Sequence, residues 1–168
     1  MASKALIAAG ALVGWFVAQQ FARAWRRMDP AEVAALVERL NEAEFGGWFD
    51  PLDVLAIVEI ESGFRPEASR WEPGRQEASL GLMQLLYSTA KDRGLKDGPA
   101  ALFDPATNLR LGMAQLQWSW HFLYQRLGTD PTVEQWIGAY NAGVGNVLKG
   151  YLPAAYVAKW KRARAQWT

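Results

Sequence analysis

The stretch "VEIESGF", Val58 to Phe64, decides how this chain is read. Two glutamates stand two apart at the end of an apolar run, and Ser62-Gly63 closes it. Working backwards, Asp50-Pro51 is a helix start: an Asp side chain can accept from the free N–H groups, and Pro suits the first helical position because its missing N–H would be unpaired anyway. Asp53 adds negative charge near the positive helix end, and Val54, Ile57 and Val58 come after it. Glu61 is four past Ile57 and three past Val58, which puts it on their inward face. Glu59 is turned about 200° from Glu61 and is expected in solvent. A carboxyl buried without a cation holds its proton more tightly, as a general acid must near neutral pH. A structural alternative at this point is a Glu61–Arg65 pair at the helix end.

Helix signals recur along the rest of the chain. Asp-Pro pairs at Asp29-Pro30, Asp50-Pro51, Asp104-Pro105 and Asp130-Pro131 each precede a helical pattern. After Asp29 come Glu32, in the place of a capping-box partner, and Val33, Leu36, Val37 and Leu40 at helical spacing, closed by Gly46-Gly47. A long helix is expected from Pro105 to Leu127 with Gly128 after it. Another is expected from Asp130-Pro131 through Tyr140, broken by Gly143 and Gly145, and a last one within Pro153 to Trp167. Gly63 to Ala78, with Pro66, Pro73 and Gly74, reads as a long functional loop. No sustained two-residue alternation appears, so the expected fold class is all-α.

Composition narrows the chemistry. The 168 residues suit one compact domain with an appended element. There is no cysteine, which removes disulfides and thiolate metal sites. With His121 the one histidine, neither a His-based zinc site nor a Ser-His-Asp triad is expected, and no metal or cofactor is. A formal net charge of +1 gives no field for nucleic acid. The nine tryptophans exceed the needs of an ordinary core, and aromatic faces are common in grooves that hold sugars.

Residues 5–22, "ALIAAGALVGWFVAQQFA", carry no charge and are just long enough to span a bilayer. A cleaved signal peptide ending near Ala22-Arg23-Ala24, a retained anchor and a plain core helix are the three readings; all-round apolarity places the last lowest. Gly10 and Gly14 form a G-x-x-x-G pair that would let two such helices pack into a homo-oligomer. Lys4 precedes the segment and Arg23, Arg26 and Arg27 succeed it, a bias that keeps the downstream domain in the cytoplasm. The expected division is therefore 1–27, anchor or signal-like helix, and 28–168, the functional domain.

Four further stretches occur in order: "ESGFRPEAS" from Glu61, "SLGLMQLLYSTAKDRG" from Ser79, "LFDPATNLRLGMAQL" from Leu102 and "IGAYNAGVGNV" from Ile137. Together they resemble the soluble-lytic-transglycosylase-like family, over about Asp50 to Tyr156. The resemblance implies a lysozyme-like helical fold that cuts peptidoglycan glycan strands. It implies Glu61 as the catalytic acid, as the helix wheel did, with Ser62 bonding near substrate or acid. By the same token Gly81 lets backbone approach the sugar chain, Met83 and Gln84 line the groove, Tyr140 touches the catalytic carboxyl and Asn141 binds an acetamido sugar. The expected reaction joins muramic acid O6 to its own C1 as a 1,6-anhydro ring. A muramidase would need a second carboxylate, for which Glu77, then Glu72, is best placed; an inactive, membrane-anchored structural protein is the remaining rival. The segment "RWEPGRQEASLGLMQ", from Arg70, is longer and more charged than in many family members and resembles a phage-type subset. Such a protein would act in the periplasm or cell wall, anchored through residues 5–22, with virion proteins as further partners and delivery with a phage genome resolving the charge bias.

Overall fold

The computed structural model describes residues 26–167, so the apolar segment 5–22, its glycine pair and the expected boundary at residue 27 lie wholly or partly outside the described residues. Among those described, no helix is long and apolar enough to cross a membrane.

Helix α1 (Pro30–Phe45) and helix α2 (Pro51–Ser62) begin as the Asp-Pro pairs dictate. Asp29 accepts from Ala31 N and Asp50 from Leu52 N, both at 2.9 Å. Each helix stops at a glycine in the left-handed region, Gly46 and Gly63. Between them Asn41 is buried and bonds both the N–H and the C=O of Phe49, which fixes the turn into α2.

The chain then departs from the all-α expectation. Three short strands, β1 (Ser69–Glu72), β2 (Glu77–Leu80) and β3 (Leu85–Leu86), form an antiparallel sheet in the order β1-β2-β3. The register pairs Ser69 with Leu80 and Glu72 with Glu77. What reads as a long loop is thus a hairpin turned over Pro73 to Gln76. Its outer strand, Ser-Arg-Trp-Glu, lacks an apolar alternation because it is largely exposed on both faces; pairing and the turn hold it instead.

Helix α3 (Tyr87–Asp92) and a 3-10 turn (Pro99–Phe103) lead to the long helix α4 (Pro105–Leu127), capped by Asp104 through Thr107 N at 2.8 Å and closed by Gly128. Helix α5 (Val133–Ala142) differs from expectation at its start. The cap is Thr132, reciprocally bonded with Gln135, and not Asp130; Pro131 precedes the cap instead of opening the helix. Gly143 ends α5, while Gly145 lies inside the short helix α6 (Val144–Leu148). Helix α7 (Ala154–Arg164) is last.

Two main apolar clusters result. Val33, Val37, Val54, Ile57, Val58, Leu116, Ile137 and Trp160 join α1, α2, α4, α5 and α7. Leu80, Leu85, Ala90, Leu102 and Leu111 form a smaller core beneath the sheet, against α3 and α4. Tyr140 packs against both. The molecule is mostly helical, with a strand-built lobe set against a larger helical one.

Candidate active site

Between the lobes lies a cavity of about 300 Å³, lined by Glu61, Arg70, Glu72, Arg75, Ser79, Gln84, Gln115, Tyr140 and Asn141 among others. Glu61 reaches it from the C-terminal turn of α2. Burial, the largest influence, raises its carboxyl above the ordinary value; the Tyr156 hydrogen bond and the charge of Arg70 act in the opposite sense. The Tyr156 hydroxyl donates to Glu61 Oε1 at 2.6 Å. Arg65 does not pair with Glu61: its Nε donates to the Ser62 carbonyl at 3.0 Å.

Tyr140 lines the same cavity as Glu61, whose charge acts on its phenol, but its hydrogen bond goes elsewhere. Its hydroxyl donates to the Met83 carbonyl at 2.7 Å, and the phenol that bonds the carboxyl is Tyr156. Burial and the charge of Glu61 both push each phenol well above its ordinary value, so both remain proton donors. Tyr156 escapes sequence reasoning because it is 95 positions from its partner. A signal does exist, since Tyr156, Trp160 and Ala163 share one face of α7 and Tyr156 alone carries a hydroxyl there.

The other expected residues divide. Gln84 lines the cavity, with left-handed backbone (φ 47°), and its Nε2 donates to the carbonyls of Ala68 and Gly81 at 3.0 and 2.9 Å. Asn141 lines it too, and is exposed. Ser62 is buried, and its hydroxyl donates to the Val58 carbonyl one turn back, away from the carboxyl. Met83 is fully buried and faces Gly112, where a methyl group would come within 2.2 Å of its sulfur. Gly81 is buried in a polar crossing: a Cβ there would meet Asn108 Nδ2 at 2.1 Å and the Leu102 carbonyl oxygen at 2.2 Å. The close approach that requires glycine is thus made by Asn108, which holds Met83 N and the carbonyls of Leu80 and Leu102 at 2.8–2.9 Å.

The remaining carboxylates have distinct assignments. Glu77 takes both Ser88 N and Ser88 Oγ, at 3.0 and 2.5 Å, and so caps α3, whose own N-cap residue Leu86 has no acceptor side chain. Glu72 does line the cavity; its Oε1 accepts from Arg70 Nε at 2.7 Å and Ser79 Oγ at 3.1 Å, and the Arg70 bond holds its carboxyl below the ordinary value. Glu59, expected in solvent, is half-buried and accepts from Trp167 Nε1 at 2.9 Å. His121 lies elsewhere, exposed on α4 and stacked on Trp48.

Comparison with protein families places most of this fold in one of them. The model of the transglycosylase SLT domain matches residues 41–161. The chain belongs to this lysozyme-like lytic transglycosylase family. Similar solved structures include SLT70, the 70 kDa soluble lytic transglycosylase of Escherichia coli, at 24% identity and TM-score 0.49 over 75% of this chain and 21% of that one. Another is the lytic transglycosylase Slt of Pseudomonas aeruginosa, solved as an inactive glutamate-to-glutamine mutant, at 23% identity and TM-score 0.54 over 78% of this chain and 21% of that one. A third is the 70 kDa soluble lytic transglycosylase in complex with bulgecin A, at 25% identity and TM-score 0.52 over 78% and 21%. The chain thus spans about a fifth of the length of these proteins.

Proposed function

We propose that this protein is a peptidoglycan lytic transglycosylase in which Glu61 is first acid and then base. The observation that carries the reading is the buried Glu61 carboxyl, raised by burial and held by Tyr156 at the base of the cleft. Family membership supports it, as does the inactivity of the glutamate-to-glutamine Pseudomonas relative.

In this mechanism Glu61 gives its proton to the oxygen linking N-acetylmuramic acid C1 to the next N-acetylglucosamine, and the C1–O bond breaks. The muramic 2-acetamido oxygen bonds to C1 and carries the positive charge. The Glu61 carboxylate then takes the proton of the muramic O6 hydroxyl, O6 displaces the acetamido oxygen at C1, and a 1,6-anhydro ring closes. The glycosidic C1–O bond to the next sugar is exchanged for an internal one from C1 to O6, the proton returns to Glu61 and no water is consumed. The substrate supplies the second group, a known exception to paired-carboxylate chemistry. Tyr156 orients the acid; Gln84 and Asn141 offer amides to the acetamido sugars; Tyr140 ties the cleft wall to Met83. Ser62, Met83 and Gly81 shape the site through packing.

Glu72 favours a second reading. An ionised carboxylate in the same cavity can hold a water, and the products would then be those of a muramidase. Mass spectrometry of digests of purified peptidoglycan decides: anhydromuramic ends that vanish in Glu61→Gln support the transglycosylase, and reducing muramic ends alone assign a hydrolase. Residues 1–27 are assigned as the element that holds the domain, 28–168, at a membrane facing the wall. Expression with a reporter after residue 168 tests this; a freely soluble full chain with its first 27 residues intact counts against it.

A further inference from the structure

The cavity wall carries four charged side chains, Glu61, Arg70, Glu72 and Arg75. Burial favours the neutral form of Glu61. Arg70 and Glu72 neutralise each other across 2.7 Å. Arg75 has neither a salt bridge nor a side-chain hydrogen bond among the described residues. It projects from the hairpin turn, whose backbone is fixed by Arg75 N to Glu72 O at 2.9 Å and Gln76 N to Pro73 O at 3.3 Å. Nor is Arg75 among the charges that act on the Glu61 carboxyl. The cleft wall therefore presents one uncompensated guanidinium away from the reacting atoms.

In a stem-bearing strand the lactyl carboxyl of muramic acid is tied up as an amide, so the N-acetyl sugars themselves offer that cation nothing of opposite charge. The carboxylates of peptidoglycan lie on the peptide stem attached to the lactyl group of muramic acid. Resting on the reading of the cleft as a peptidoglycan site, we infer that Arg75 selects glycan strands by pairing with a stem-peptide carboxylate. The planar guanidinium fork suits that group. Arg75 is thus a specificity residue of the hairpin, and bond cleavage itself does not require it.

The test compares full-chain protein and its Arg75→Gln, Arg75→Lys and Arg75→Glu variants on stem-bearing strands, on strands with chemically amidated stem carboxylates, and on amidase-stripped strands whose freed lactyl carboxylates are likewise amidated. On stem-bearing strands at low salt, Arg75→Gln should raise KM about threefold to fivefold with kcat unchanged. Arg75→Glu should raise it further and Arg75→Lys should restore part of the loss. The difference should shrink as salt screens the pair. Stripped and amidated strands should show no difference between parent and variants. An equal KM change on all three substrates, or no change on any, overturns the inference. Binding of the same strands to Glu61→Gln protein, with and without Arg75→Gln, is measured in parallel. That arm reads Arg75 without turnover, so failure of the proposed chemistry and failure of the stem contact give different results.

Discussion

At the scale of single residues, Glu61 and Tyr156 form the unit that matters. The Glu61 carboxyl is raised by burial above its ordinary 4.5, so the folded protein holds that proton more tightly than the unfolded chain does. Its contribution to stability is complete below the unfolded value and is lost as pH rises through the folded one. Glutamine keeps an acceptor for Tyr156 and has no such loss. Glu61→Gln should therefore cost activity by at least about a hundredfold while its melting temperature, relative to the parent, climbs between pH 4 and pH 7. Parallel melting curves for the two proteins across that range would contradict the burial argument. Tyr156→Phe tests the other partner. Its hydrogen bond lowers the carboxyl, so removing it should move the basic limb of the kcat/KM profile to higher pH and reduce kcat about tenfold or more, with KM little changed. A limb that stays in place would assign Tyr156 to packing alone. The inward placement of Glu61 was legible because it derives from local helix geometry counted from Asp50-Pro51. Tyr156 was not, because its contact is made only when α7 packs on α2. Glu59 was misread for the same reason: its partner, Trp167, is 108 positions away.

Among elements, the strands and the glycine crossing show what local signals convey. Helix starts at Asp29, Asp50 and Asp104 were legible because a side-chain acceptor and a proline act within one turn. Asp130 failed as a cap because Thr132, two residues later, forms the reciprocal bonds with Gln135. The hairpin was hidden since Arg70, Glu72 and Glu77 break any apolar rhythm, and its register depends on cross-strand pairing. Gly81 joins β2 to the core at the Asn108 crossing, with φ at 78°. Gly81→Ala would place a methyl into Asn108 and the Leu102 carbonyl while forcing a left-handed alanine. The expected cost is about 3 kcal/mol or more, read as a lower urea midpoint. An unchanged midpoint would mean that the crossing relaxes freely.

Over the whole molecule, the two cores predict unequal local stability. The helical lobe buries Val33, Val37, Ile57, Leu116 and Ile137 completely, whereas β1 is largely exposed and pairs only with β2. Amide exchange should accordingly be faster through β1 and its turn, residues 69–76, than through α2 and the middle of α4. Uniform protection would indicate that both lobes open together. Of the residues the family resemblance implies, Glu61, Gln84, Tyr140 and Asn141 line the cavity, whereas Ser62, Gly81 and Met83 are packed inside the protein. The resemblance could not supply the hairpin's charge arrangement, because the Arg70–Glu72 pair and the contact of Glu72 with Ser79 depend on how β1 and β2 pair.

Helix α7 also lies along α2 through side chains near its end. Arg164 pairs with Asp50 and Asp53, Trp160 Nε1 donates to the Asp53 carbonyl at 3.1 Å, and Trp167 reaches Glu59 and Phe64. The Tyr156 phenol that bonds the Glu61 carboxyl is thus anchored through residues 160–167. A cut between Arg164 and Trp167, well outside the groove, would loosen Tyr156 on Glu61 as surely as one through the groove's floor.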